Sequence, residues 1–185
     1  MMIMSNKKSV FTGYVFFIIL CILASSTNLS GAELVNIVIR NSANELLIDI
    51  KLKDVFTEEL KAALSKGIPI DIAFSVSLYE VHNFWFDHNT ISKTAIHQVR
   101  FDTLKKEYKI KRSWEKRGLI AEKDSKKAQK IMSEIKGLNV ISLKRLKKGA
   151  HYQLRIKSEL KDQSYPFTGT PWEFETDWYT INFIY

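Results

Sequence analysis

His82, Asp87 and His88 stand close together in the sequence and carry side chains that bind metal ions and transfer protons. Their spacing works against a shared site. On a continuing strand at about 3.3 Å per residue, the two histidines would lie about 20 Å apart. Only a tight turn between them would bring both imidazoles to one ion. We therefore predict no metal site, and we expect these residues to be polar groups at a strand end and turn.

The other reactive residue types also lack an arrangement that would catalyse a reaction. His97 and His151 each stand alone among strand residues, so we expect them at the surface or at a strand edge. The sequence has no Gly-x-Ser-x-Gly motif and too few glycines in succession for a phosphate-binding loop. Glu58 and Glu59 are adjacent at a helix start and project in different directions. The sequence thus predicts no catalytic residue, no cofactor and no metal ligand, so an enzyme is the least favoured class of function.

Basic residues in the middle of the chain form the first candidate binding surface. The net charge is +8, and the segment from Lys105 to Lys161 alone carries 19 basic and 6 acidic residues. Such clusters attract anionic surfaces, by about 1 kcal/mol per basic residue at an anionic membrane. A merely solvated face is the alternative interpretation. The candidate patch consists of Lys105, Lys106, Lys109, Lys111, Arg112, Lys116, Arg117, Lys144, Arg145, Lys147 and Lys148.

Aromatic residues form the second candidate surface. Tryptophan and tyrosine anchor peptide and lipid contacts, because they combine a large apolar ring with a polar group. We expect most of the following residues in the core: Tyr79, Phe84, Trp85, Phe86, Trp172, Trp178, Tyr179 and Phe183. Three of them, Trp85, Phe86 and Trp178, are candidates for contact with a peptide or a lipid.

The start of the chain has the composition of a secretory signal. Two lysines precede the apolar run of residues 10–24, and small polar residues follow. This order directs export through the bacterial inner membrane. The triplet Ser30-Gly31-Ala32 supplies the small residues that a signal peptidase needs. We predict that residues 1–32 are a signal peptide that engages the membrane during export, is cleaved after Ala32, and leaves a periplasmic protein.

Two alternatives to cleavage remain open. Residues 10–24 could stay as an inner-membrane anchor, although a spanning helix needs about 20 apolar residues and this run is shorter. Cys21 could carry a lipid, although it follows Leu20 and lipid attachment normally requires a small residue there. If the signal is removed, Cys21 leaves with it and the mature chain has no thiol. Disulfides, thiol catalysis and cysteine-bound metal would then be excluded.

Residues 33–185 are predicted to form a single exported domain. Thr57 is the expected N-cap of a first helix that Gly67 and Pro69 end, and a second helix is expected over residues 125–136, ended by Gly137. The clearest strand is Ile70–Val81, whose apolar and polar residues alternate as on a half-buried strand. Further strands are predicted over residues 35–40, 46–52, 95–101, 106–112, 152–160 and 172–184.

These elements define the fold class. Their order, ββαβββαββ, contains about seven strands and two helices. No fixed-period repeat and no low-complexity linker divides them. Many strands with two helices predict an α+β domain with a mostly antiparallel, curved sheet or a sandwich-like arrangement.

Several blocks of the sequence together resemble a known family. They are residues 59–70, in which a helix is followed by Gly67-Ile68-Pro69 and a strand, then Phe84-Trp85-Phe86-Asp87, residues 99–108, residues 152–157, and the pair Trp172 and Trp178. In order and spacing they resemble the bacterial exported family known as domain of unknown function 4390, over nearly the whole mature chain. The stretch Ser164-Tyr165-Pro166 departs from it, because a leucine is expected before the proline. The resemblance implies an exported single domain and brings no catalytic residues.

Three classes of function follow from these features. The first is a non-catalytic envelope protein that binds a protein partner or an anionic lipid or polymer and assists a membrane-bound system; nucleic acid is excluded for an exported protein. The alternative is a carrier of an apolar or lipid ligand, which requires a closed apolar cavity. An enzyme, which requires titratable groups converging in a cleft, comes third.

Overall fold

A computed structural model describes residues 31–82, 86–160 and 173–185 as two antiparallel sheets that share one hydrophobic core. Residues 1–30, which make up most of the predicted signal peptide of residues 1–32, lie outside the described residues. Within them, strands and helices have the following bounds: β1 Glu33–Ser42, β2 Glu45–Lys53, α1 Glu58–Ser65, β3 Ile70–Val81, β4 His88–Asp102, β5 Glu107–Arg112, β6 Ile120–Glu122, α2 Ser125–Ser133, β7 Glu134–Ser142, β8 His151–Leu160, β9 Phe174–Glu175 and β10 Tyr179–Ile184. Neither of these helices is long and apolar enough to span a membrane.

The two sheets differ in width. In the described residues the smaller sheet has the order β1-β2-β7, and the larger has the order β10-β8-β3-β4-β5-β6 with β9 also paired to β8. Buried side chains of both sheets belong to one core cluster, with β2 contributing Leu46, Ile48 and Ile50. The predicted α+β class, with antiparallel, sandwich-like sheets and two helices, is confirmed.

The central strand β3 follows the predicted alternation along its whole length. Every second residue from Ile70 to Leu78 is buried, and Phe74 is fully enclosed. The other face carries small and polar residues such as Ser75 and Ser77. Antiparallel neighbours β4 and β8 pair with β3 on its two edges. The apolar face of β3 therefore lies at the centre of the core.

Helix α1 begins where the sequence predicts. The Thr57 hydroxyl oxygen accepts a hydrogen bond from the Leu60 N–H at 3.3 Å, which caps the first turn. Leu60, Ala63 and Leu64 are buried. Gly67 follows the helix with φ +81°, a left-handed conformation that glycine adopts without steric cost. This turn leads the chain directly into β3.

The second helix and the strand after it differ from the prediction. Helix α2 ends at Ser133, and residues 134–142 form β7, so Gly137 lies within a strand with φ +73°. Irregularities in the pairing with β2 interrupt the alternation of β7. The Asp49 carboxylate accepts a hydrogen bond from the Gly137 N–H at 2.6 Å and pairs with Arg40. The strand was missed because these bulges remove its period of two.

The remaining differences concern the extent and number of strands: β4 begins at His88, in the predicted turn, whereas the predicted strand begins at residue 95. The predicted strand over residues 172–184 is interrupted, and β9 and β10 both pair with β8. Strand β6 has three residues, too few to show a pattern in sequence. The described residues therefore contain ten strands, against about seven predicted.

Replacing Phe74 should test the buried face of β3. Phe74→Asp should prevent folding because it buries an unpaired carboxylate. Phe74→Ala should lower the free energy of unfolding by about 3–5 kcal/mol, from lost burial and the cavity left behind. Urea denaturation followed by circular dichroism measures both effects. Ser75→Ala, on the opposite face of the same strand, is the matched control and should change stability by about 0.5 kcal/mol or less. A soluble Phe74→Asp protein with unchanged melting would contradict the buried position.

Candidate functional site

An open groove lies where β7 faces β4 and the connection from β5 to β6. Its volume is about 830 Å³. It is lined by Lys93, Thr94, Ser113, Trp114, Glu115, Lys116, Arg117, Gly137, Leu138 and Asn139. Three of these side chains are cationic and one is acidic, so the groove has a positive net charge.

Lys93 enters the groove from the inner face of β4. It shares the face of Ala95 and His97, which are buried. Its ammonium donates a hydrogen bond to the Asn139 carbonyl oxygen at 2.8 Å, which joins the larger sheet to β7. An ammonium group has three donors, so Lys93 can also bind an anion in the groove. Sequence reasoning missed this residue, although a lysine on the apolar side of an alternating strand was the signal that could have revealed it.

Trp114 forms part of the groove wall and is fixed from behind by His97. The indole N–H of Trp114 donates to His97 Nε2 at 3.0 Å. His97 Nδ1 lies 2.9 Å from the Met132 carbonyl oxygen, so Nδ1 carries the proton and donates it to that acceptor. This pair of bonds selects one neutral tautomer. The same network connects β4, the end of α2 and the groove wall.

The position of His97 corrects the expectation of a surface or strand-edge histidine. Its side chain is fully buried and packs against Phe74, with ring centroids 5.0 Å apart. Burial lowers the pKa of His97 from 6.5 to about 4, because the charged imidazolium would lose its hydration; the bond to Met132 opposes this shift. His97 therefore stays neutral at neutral pH and serves as a structural support.

Glu115 does not cancel the positive charge of the groove. It forms an ion pair with Arg112 at 2.8 Å, at the base of the groove wall. The Arg112 guanidinium also lies 5.6 Å from the centre of the Trp114 ring. Lys116 and Arg117 are exposed beyond this pair and form no ion pair with a described residue. The cationic character of the groove therefore rests on Lys93, Lys116 and Arg117.

The structure divides the predicted basic patch. The β4–β5 turn follows the pair formed by Asp102 and Glu107, and it lies beyond the first residue of β3. At the other end of the sheet, His151 lies opposite Val81, the last residue of β3. The twelve residues of β3 span about 40 Å. Lys105, Lys106 and Lys109 therefore lie at one end of the larger sheet, and Lys144, Arg145, Lys147 and Lys148 at the other. Lys111 and Arg112 lie along β5, and only Lys116 and Arg117 of the patch line the groove.

Some of the patch residues already have structural partners. Lys109 pairs with Asp102 at 2.7 Å, and its hydrogen bond is the main cause that lowers the pKa of Asp102 to about 2. Lys147 donates to Glu80 at 2.9 Å, and this bond raises the pKa of Lys147. Through these bonds the two lysines stabilise the fold at the ends of the larger sheet. They are less available to an external anion than Lys116 or Arg117.

The candidate aromatic contacts lie away from the groove or outside the described residues. Trp85, Phe84 and Trp172 lie outside. Phe86 is 98% exposed, and Trp178 is 52% exposed with the Lys157 ammonium 5.6 Å from its ring centre. Tyr179 is also exposed, while Tyr79 and Phe183 are half-buried. The expectation that most of this set is core is wrong for Tyr179, whereas the exposure of Phe86 and Trp178 is compatible with the contact role predicted for them. Trp114 was not among the predicted aromatic residues.

The histidines near the β3–β4 connection do not assemble with other ligands. His82 Nε2 lies 3.9 Å from a Glu80 carboxylate oxygen. Over residues 31–82, 86–160 and 173–185, no three His, Cys, Asp or Glu side chains come close enough to hold a metal ion. His88 begins β4 on an exposed position.

The structure defines the class of protein as an α+β sandwich of two antiparallel sheets. A cationic groove lies at the edge of the smaller sheet. A family model described as domain of unknown function (DUF4390) matches residues 30–182. Because this match covers most of the chain, the chain belongs to that family, and the resemblance seen in the sequence is confirmed. No curated protein and no solved structure matches the chain.

The buried neutral His97 should make stability depend on pH. The unfolded chain binds a proton near pH 6.5, whereas folded His97 resists protonation down to about 4. The free energy of unfolding should therefore fall as pH decreases from 6.5 to 4, by on the order of 3 kcal/mol. Asp49 and Asp102, with pKa values lowered from 3.8, lose their contribution at lower pH. Urea denaturation at several pH values measures the slope.

Two variants assign this slope to its residue. His97→Phe should be less stable at pH 7, because Trp114 and Met132 lose their partner, and should remove most of the slope above pH 4.5. His151→Gln, at an exposed position of β8, should keep the slope. If His151→Gln flattens the profile and His97→Phe does not, the assignment to His97 is wrong.

Proposed function

We propose that this protein is a non-catalytic interaction module of the bacterial cell envelope, and that its groove binds an acidic segment of a partner protein. The observation that carries the proposal is the convergence of Lys93, Lys116 and Arg117 on one concave site beside Trp114. Lysine and arginine recognise carboxylates, and a tryptophan supplies apolar contact area. A concave groove favours a protein segment over a membrane surface, which makes broad contact only with a flat or protruding surface.

The groove has little of what an enzyme requires. Its histidine neighbour, His97, has both ring nitrogens engaged by Trp114 and Met132 and faces away from solvent. The carboxylate of Glu115 is held by Arg112. A general acid or base needs access to a substrate, and neither group has it. The residues that line the groove therefore support binding rather than chemistry.

The alternative function, a carrier of an apolar ligand, receives less support. A carrier needs an enclosed, mostly apolar cavity. Between the two sheets, large side chains such as Phe74, Tyr152 and Met132 are fully buried and fill the core. The groove beside Trp114 is open, and charged or polar residues border both it and the smaller pocket at the β4–β5 turn. A lipid recovered with the purified protein would revive this alternative.

Charge reversal in the groove should test the proposal. The double variant Lys116→Glu, Arg117→Glu should lose about tenfold or more of its cross-linked partner when a tagged chromosomal copy is cross-linked in cells. Lys105→Glu, Lys106→Glu is the matched control, because it makes the same charge change at the exposed β4–β5 turn. Mass spectrometry identifies what is recovered.

Two results of this experiment would count against the groove. Equal losses in both double variants would indicate a general charge effect. Recovery of anionic lipid without protein, or salt-sensitive binding to anionic vesicles that both variants weaken equally, would assign the basic residues to a membrane surface instead.

Export is the second part of the proposal, and it rests on the composition of residues 1–32. If the signal is cleaved after Ala32, the protein in the periplasmic fraction should begin at Glu33 by intact-mass measurement. Ala32→Asp should block cleavage, because signal peptidase needs a small residue there, and should leave the full-length mass in the membrane fraction. A full-length wild-type chain in the inner membrane would favour the anchor through residues 10–24.

A further inference from the structure

The edges of the two sheets differ in how they are protected against pairing with another chain. In the described residues, β1, β7, β6 and β10 lie at sheet edges. Exposed edge strands present unpaired N–H and C=O groups, and proteins block them with bulges, charges, proline or short length. Strand β1 has an irregularity at Asn36, where φ is +50°, and β6 has only three residues. Strand β7 is bulged, and Lys93 occupies the Asn139 carbonyl.

Strand β10 has none of these protections. Its sequence, Tyr-Thr-Ile-Asn-Phe-Ile, contains no charge, proline or glycine. It pairs with β8 in unbroken register over residues 179–184. Apolar side chains remain exposed along it and beside it: Ile184 is 64% exposed and Tyr179 is 44% exposed. Segments of this kind, β-prone and uncharged, readily pair with a further strand.

The backbone of β10 shows which residues face outward. Just after the strand, the Tyr185 N–H donates to the Ala150 carbonyl at 3.2 Å, and the Tyr185 carbonyl accepts from Gly149. The direction of backbone groups alternates along a strand. Thr180, Asn182 and Ile184 therefore present their N–H and C=O groups away from β8. No strand in the described part of the chain pairs with this side.

We propose that β10 pairs antiparallel with β10 of a second copy of this chain, about a two-fold axis through Ile181. In this register Thr180 lies opposite Asn182 of the partner subunit. Both present their backbone groups outward, so they exchange both N–H···O bonds. Ile181 faces Ile181 of the partner subunit as a closely spaced pair. The larger sheet then continues across the axis.

The side chains of β10 fit this register. On the inner face, Tyr179 lies opposite Phe183 of the partner subunit, and cross-strand aromatic pairs stabilise sheets. On the outer face, Trp178 lies opposite Ile184 of the partner subunit, which covers two exposed apolar side chains. Because β10 carries no charged side chain, no like charges oppose each other within the paired strands. An isologous interface needs such self-complementarity. The proposal is independent of the groove, since β8 and β3 separate β10 from β4.

Cysteine cross-linking tests both the pairing and its register. In a Cys21→Ser background, Ile181→Cys should form a covalent dimer on mild oxidation of the purified full chain, because closely spaced opposite residues have Cα atoms about 4.5 Å apart. Thr180→Cys and Asn182→Cys are controls, since each is displaced from its own copy by more than about 7 Å. Ile181→Cys should give about tenfold more dimer than either. Preferential cross-linking of Asn182→Cys would overturn the register, and none from any variant would overturn the pairing.

Analytical ultracentrifugation of the full chain supplies a measurement that does not depend on cysteine chemistry. The wild-type chain should sediment as a dimer that dissociates on dilution. Thr180→Pro removes an outward N–H and should yield a monomer with an unchanged circular dichroism spectrum. Thr180→Lys keeps the N–H, adds a charge at the edge, and should have the same effect if the proline variant fails to fold. A wild-type chain that stays monomeric at all concentrations would overturn the proposal.

Discussion

Burial of one face of β3 is the constraint on which the rest of the structure depends. Side chains from Ile70 to Leu78 alternate so regularly that one face of this strand must be removed from water. Strand β3 has partners on both edges, so the face can be covered only from above. The smaller sheet supplies that cover through β2, whose Leu46, Ile48 and Ile50 are fully enclosed. The sandwich follows from the need to cover β3.

The unequal widths of the sheets explain where the groove lies. Strand β7 ends the smaller sheet above β4, whereas the larger sheet continues to β5 and β6. Helix α2 covers part of this excess, with Ala128 and Met132 buried in the core. The margin beside β7 is left open. There, polar and charged residues take the place of core residues, and Lys93 bridges the two sheets.

Features that depend on short stretches of sequence could be predicted, and features that depend on long-range contacts could not. Strand β3 and the Thr57 cap of α1 are encoded locally, by alternation and by a capping residue next to its target. Strand β7 escaped because Gly137 and the bulges near it are stabilised by Asp49, a residue distant in sequence. The basic patch was judged by proximity along the chain, but a strand of twelve residues separates its halves. The position of Trp114 in the groove wall depends on its hydrogen bond to His97. No local sequence pattern predicts this bond.

Because His97 holds Trp114 in place, the two sides of the groove differ in how well they tolerate amino-acid substitutions. Its wall depends on a histidine that also contacts Phe74 and the end of α2, so a substitution there disturbs the core as well as the groove. Lys116 and Arg117 are exposed, and their replacement costs the fold little. In a protein built this way, the rim can change in sequence at little risk to folding. The wall can change only when several residues change together.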